Sequence, residues 1–211
     1  MTLSVELIEK NFATFLQQIN KLPEERKKQI NLMLESVGER MMICPASSRK
    51  AYHRSEPGGL IDHSLRVLLN AIKLNKAMGW KLSEESLIVS ALFHDFGKIG
   101  DVENDYYIEA EKWEQSKRDE LYQTNKSMQY MEVPLRSIFM LQHFGVKLTQ
   151  DETLAITLND GFYLEANKNY CLKEPRLATC IFTADYIATV EEKEEEKLER
   201  NLQASASSEN K

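Results

Sequence analysis

Apolar and polar positions alternate at helical, not strand, spacing through most of this chain. Residues 4–19 carry Leu7, Ile8, Phe12, Phe15, Leu16 and Ile19 on one face of a 3.6-residue repeat, which predicts an amphipathic helix. Pro23 opens a second predicted helix running to about residue 42, because proline is tolerated where a first-turn N–H has no partner, and Cys44-Pro45 closes it. A third helix is predicted over 60–78, stopped by Gly79. A fourth spans 87–95, with Ser83 as cap, Glu84 and Glu85 in its acidic start, and Gly97 as its stop. The pattern resumes over 134–144, 149–158 and 176–192, with a loop at 159–175. Residues 101–131 are polar with scattered aromatics and leave a short hairpin and a surface helix both open. From 193 to 211 the run of charge predicts a fraying helix that passes into disorder. The fold class is all-α: an N-terminal helical extension over 1–43, a helical domain over 44–192 and a charged tail over 193–211.

With 211 residues and 42% hydrophobic content, the chain suits one domain with appendages, large enough to bury a site away from water. Lys and Arg total 27 against 33 Asp and Glu, a net charge of −6, and the last 21 residues supply half of it with seven acids and four bases. The near-neutral body offers no broad basic face for duplex nucleic acid, whereas a pocket for one phosphate or a short strand needs only a few cations. A small or single-stranded substrate is expected. No apolar run approaches bilayer length, and Cys44, Cys171 and Cys180 form no CxxC pair and leave an odd thiol over. A soluble, cytosolic protein with reduced thiols and no membrane partner is therefore expected.

Four polar residues interrupt otherwise inward-facing stripes. Leu87, Ala91 and His94 lie at i, i+4 and i+7, so the stripe of the fourth helix ends in an imidazole followed by Asp95. His63 sits one turn before Val67 on the line leading to Leu74. Ile181, Asp185 and Ala188 share a face of the last helix, where a lone buried carboxylate is costly unless something positive stands opposite. A divalent cation is the simplest compensation, since two neutral histidines and two carboxylates neutralise it and leave two octahedral positions for water and substrate. His53, ten residues before His63 and across the Pro57-Gly58-Gly59 break, can fold back over that site, and Arg54 beside it is the most plausible phosphate contact. Arg49, Arg136 and Arg176 default to solvated surface. His143 suits a helix end and is assigned no chemistry. The stretch LNDGFYLEANK, with Asn159 and Asp160, is read as lining the pocket or covering it as a lid, the bland rival being an Asx-rich turn with Gly161 at positive φ.

Taken with their context, His63, the His94-Asp95 pair and Asp185 resemble the H…HD…D set of the HD superfamily of metal-dependent phosphohydrolases. The segment HRSEPGGLIDHS is similar to the H-x4-GGL-x2-H stretch of one HD branch, and ALFHDFGK to its A-L-x-H-D-x-G-K helix end. PASS, LTQDETLAI and TADYIAT extend the likeness from about residue 44 to 190, particularly to small members in phages and mobile elements. The resemblance implies an HD-domain helical bundle holding Mg, Mn, Co or Fe through His63, His94, Asp95 and Asp185. One ion per chain is expected, because the further histidines of multi-metal members are missing. It implies a catalytic role for Asp95, with Lys98 and His53 offsetting phosphate charge or protonating the leaving oxygen, and Arg54 and Asp160 facing substrate. Lys98 stands where HD nucleotidases often place Glu, which favours the HDxGK type. The implied activity is hydrolysis of a phosphoester or phosphoanhydride bond in a nucleotide or short oligonucleotide. Two alternatives are a nucleotide-binding regulatory module without turnover and a 3′→5′ exonuclease-like phosphodiesterase. The latter group carries a separate single-strand-binding barrel that 42 helical residues cannot supply.

Overall fold

The computed structural model describes residues 3–209. Helices dominate, where the apolar spacing predicts them: α1 (Val5–Ile19), α2 (Glu24–Val37), α3 (Glu39–Ile43), α4 (Gly59–Met78), α5 (Glu84–Phe93), α6 (Lys112–Arg118), α7 (Val133–His143), α8 (Gln150–Thr157) and α9 (Arg176–Glu209). The single helix expected from Pro23 to residue 42 is broken at Gly38, whose φ of 48° a residue with a Cβ adopts only under strain. Residues 101–131 contain both of the structures left open: strands β1 (Tyr107–Glu109) and β2 (Tyr122–Thr124) pair antiparallel, Tyr107 opposite Thr124, with α6 spliced between them.

At the centre stands α5, whose residues Leu87 to Phe93 are all buried, as a helix apolar on every side should be. It packs between α4, α8 and α9, while α4 lies along α9 over the longest interface. Small residues on α9, Ala178, Ala184 and Ala188, let the two backbones approach, and Val67 and Ala71 of α4 fill the space between them. The N-terminal helices belong to this same core. Phe15 meets Phe93 edge to face with centroids 5.7 Å apart, and Ile19, Ile30, Met33 and Val37 are buried in the same cluster. Residues 5–43 are therefore an integral layer of the domain, not an extension from it, because apolar periodicity reveals a sticky face without saying what covers it.

The charged tail also departs from expectation. Helix α9 continues to Glu209, so the helical start expected from 193 extends further than a fraying end, while residues 210–211 lie outside the described residues. Its first turns beyond the bundle are anchored: Glu195 accepts from Arg54 and Arg66, and Glu196 from the Arg54 backbone N–H. Composition shows the excess of acid but not the two arginines waiting for it. Gly97 has a different role from the predicted helix stop. The chain continues past it into a 3-10 turn, Phe96–Ile99, and a Cβ at Gly97 would lie 2.3 Å from the Val133 carbonyl oxygen. Glycine here lets α7 close onto the turn that follows His94-Asp95. No helix among the described residues is long and apolar enough to cross a membrane.

Candidate metal centre

Three helices deliver the centre. The second turn of α4 carries His63, fully buried; α5 ends at Phe93, so His94 and Asp95 leave the helix together and both turn into one space; and α9 presents Asp185 from above. Ser137 of α7 holds the helix end in place, accepting from the Gly97 N–H at 2.7 Å and donating to the His94 carbonyl at 3.0 Å. Each histidine is oriented through Nδ1. That of His94 donates to the Ala91 carbonyl oxygen at 2.8 Å, and that of His63 to the Glu192 carboxylate, 3.2 Å from each oxygen. Both Nε2 atoms thereby face the same space. His63 Nε2 lies 3.0 Å from Asp185 Oδ1, and His94 Nε2 lies 3.5 Å from Asp95 Oδ2 and 4.0 Å from Asp185 Oδ1.

The His63 and His94 Nε2 atoms stand within ion-pair range of Asp185 and Asp95, but without the geometry of a good hydrogen bond. The Nε2 atoms of His53, His63 and His94 are all buried and, among the described residues, have no hydrogen-bond partner. Orphaned buried nitrogens are expensive, and three of them around two carboxylates are better explained by a cation than by error of packing. One ligand atom each from His63, His94 and Asp95 fall within 4.8 Å of one another, a spacing that lets all three reach one ion. The residues present thus fit a divalent metal.

Charge in the site is tightly balanced. Burial disfavours the His63 imidazolium, yet Glu192 and then Asp185 outweigh it and push its pKa up to about 10. His94 is raised in the same way, with Asp95 overcoming burial. Burial opposes ionisation of Asp95, but Lys98 and His94 hold its carboxyl well below the usual range. Lys98 donates to the Ala46 carbonyl at 2.7 Å and to Asp95, and its proton affinity rises despite burial. The carboxylates that retain protons on the two histidines are those that favour a cation, so proton and metal compete for the same nitrogens.

A cleft of about 540 Å³ opens over the centre, and Asp95, Asp185, Lys98, His53 and Asp160 all line it. A larger groove of about 870 Å³ runs along α1, α4 and α9, but none of the four metal candidates lines it. His53 lies where the Pro-Gly-Gly turn was expected to bring it, its ring centroid 4.8 Å from that of His63. Burial, then the positive charge of His63 and Lys98, pushes its pKa down to about 3, so it is neutral near pH 7. Asp160 shows surface at the rim, yet the surrounding wall and then the Asp95 charge push its pKa up to about 6.

Two arginines are not where the sequence suggested. Arg54 is absent from the cleft lining: its Nε lies 2.8 Å from Asp62 Oδ2 and its guanidinium donates to Glu195 at 2.6 Å. The expected phosphate contact is therefore corrected to a structural ion pair, made from a backbone at φ 46°. Arg136 is buried, not solvated, stacking on Tyr106 at 4.6 Å. Arg176 and His143 are exposed as expected. Two residues of the site, Glu192 and Tyr107, were missed. Glu192 follows Asp185 by two helical turns on the same face, a signal present in the periodicity. Tyr107 comes from the hairpin, where no periodicity pointed to it. Asn159, in the stretch read as lining the pocket, does line the cleft, almost fully buried and with neither amide atom partnered among the described residues.

An all-helical bundle that turns two histidines, a neighbouring aspartate and a late aspartate onto one point defines a metal-binding helical domain. The HD domain family model matches residues 60–190, and the chain belongs to that family, whose members are generally metal-dependent hydrolases of the phosphohydrolase type. The match encloses His63, His94, Asp95 and Asp185, and leaves His53 and Glu192 outside. No curated protein and no solved structure matches the chain.

Proposed function

We propose that the protein is a metal-dependent phosphohydrolase that cleaves a phosphoester or phosphoanhydride bond of a nucleotide or short oligonucleotide in the cleft above the centre. The observation that carries this reading is the convergence of orphaned Nε2 atoms and carboxylates at the floor of an aromatic-walled cleft. His63, His94, Asp95 and Asp185 would hold a divalent cation, which would supply Lewis acidity for phosphoryl chemistry. Lys98 keeps Asp95 ionised and adds positive charge at the cleft floor, where it offsets phosphate. His53, neutral and with a free Nε2, is suited to orient a substrate oxygen through a hydrogen bond instead of storing a proton. Asp160, at the rim and with raised proton affinity, is the better group to pass a proton to the leaving oxygen. Tyr52, Tyr163 and Tyr186 offer exposed ring faces along the wall on which a base can stack.

The test is a screen of nucleotides, dinucleotides, cyclic nucleotides and short oligonucleotides with Mn, Mg, Co and Fe, using Asp95→Asn as control. Phosphate release or strand cleavage with at least one substrate is expected. Tight nucleotide binding without turnover across the panel would favour a regulatory module instead. Asn159 supplies a second check. Its unpartnered amide costs stability, so Asn159→Leu should leave the metal-free protein as stable as wild type or raise it by about 1 kcal/mol in a urea melt. The same variant should raise KM for whichever substrate the screen finds. A destabilised variant with unaltered KM would show that the amide serves the fold alone.

A further inference from the structure

We infer that Glu192 is a positioning residue of the metal centre, accepting the Nδ1 proton of His63 and so presenting Nε2 as the ligand atom. Both carboxylate oxygens lie 3.2 Å from Nδ1, and both residues have no exposed side-chain surface. A hydrogen bond at Nδ1 decides which tautomer the neutral ring adopts, and a buried bond of this symmetry holds the ring plane as well. Helix α9 grips the ring at both edges, since Asp185 stands 3.0 Å from Nε2 and Glu192, seven residues on, stands against Nδ1. The two helices with the longest interface in the fold, α4 and α9, are thus pinned at the centre by one imidazole.

His94 provides the contrast. Its orienting acceptor is the Ala91 carbonyl, a backbone group that any sequence at that position supplies. For His63 the acceptor is a side chain and can be removed by substitution. Arg66 approaches Glu192 with Nε at 3.9 Å and Arg54 also feels its charge, but both arginines are engaged elsewhere, Arg66 by Asp62 at 3.0 Å and Glu195 at 2.8 Å, Arg54 by Asp62 at 2.8 Å and Glu195 at 2.6 Å. The carboxylate is therefore directed at His63. Glu192 falls beyond the residues matched by the family model. The inference rests on the metal-centre reading but not on the hydrolytic one.

The experiment compares full-length wild type, Glu192→Leu and Glu192→Gln by calorimetric titration with Mn²⁺, by the visible ligand-field spectrum of the Co²⁺ form, and by thermal melts without metal. Glu192→Leu should weaken Mn²⁺ binding about 10- to 100-fold and shift the Co²⁺ spectrum. Glu192→Gln, whose amide oxygen still accepts from Nδ1–H, should lose only a few-fold. Wild-type affinity and spectrum in Glu192→Leu would overturn the inference, and so would equal losses in both variants, which would assign the effect to charge instead of orientation. If Glu192→Leu does not fold, Glu192→Gln decides: a few-fold loss supports the role and no change overturns it. A wild-type protein that binds no divalent ion would remove the centre itself, and that failure is visible before any variant is made. Metal binding without phosphate release would sink only the hydrolytic reading.

Discussion

Asp95→Asn is expected to lower turnover on the order of 10³-fold or more, the equivalent of about 4 kcal/mol of lost transition-state stabilisation, and to lower metal content with it. Asparagine has the volume of aspartate and an amide oxygen that still accepts from Lys98, so the fold should survive. What disappears is the negative charge that stands 3.5 Å from His94 Nε2 and balances both Lys98 and a bound cation. An alanine would confound the result, since it would leave the Lys98 ammonium buried with only the Ala46 carbonyl as partner. Steady-state rates, metal analysis after gel filtration and a melting curve together separate the cases. Turnover at the wild-type rate in Asp95→Asn would sink the proposed centre.

Arg26→Met is the largest effect expected on stability. Arg26 of α2 forms a two-pronged pair with Glu152 of α8, at 3.0 Å and 2.8 Å, and Glu152 is fully buried. Removing the arginine leaves a buried carboxylate whose other contacts are the Ser86 hydroxyl and the Thr149 N–H. A loss of about 3 kcal/mol is expected, a large share of a typical domain's stability, with a fall in Tm on the order of 10 °C. Burial would raise the Glu152 pKa, but the arginine and the capping contacts outweigh it and lower the value. A carboxyl whose folded pKa is depressed contributes stability above its unfolded pKa of about 4.3 and loses it as the pH falls through the lower folded value. Wild type and Arg26→Met should therefore differ at pH 7 and converge in acid. Urea melts at both pH values check this, and a difference below about 1 kcal/mol at pH 7 would show that the Arg26–Glu152 pair contributes little to stability.

That second result bears on how much could be read from the chain without its structure. The helices of the bundle and the inward direction of His63, His94 and Asp185 follow from a period of 3.6 residues, because burial of one face is a local property of the sequence. The position of His53, ten residues before His63, was legible too, since the Pro57-Gly58-Gly59 break between them restricts where the loop can go. The partner of each face was not. Phe15 advertises an apolar face, but only packing shows Phe93 against it. Arg54 follows His53 directly, yet His53 lines the cleft while Arg54 pairs with Asp62 and Glu195, and a positive φ at a single non-glycine residue leaves no trace in composition. Glu192 was visible as a residue on the face of Asp185 and was passed over, because an acid within a run of acids reads as solvated surface until a buried histidine is placed against it.

The sequence by itself determined a helical protein with two histidines and two aspartates turned inward, since helical periodicity and the cost of burying charge are both encoded residue by residue. The tertiary structure decided what those residues do to one another. Distances between Nε2 atoms, the acceptor behind each Nδ1, the removal of Arg54 from the cleft and the incorporation of residues 5–43 into the core all depend on contacts between segments far apart in the chain. Such contacts are set by how faces fit together, and no single face specifies its complement.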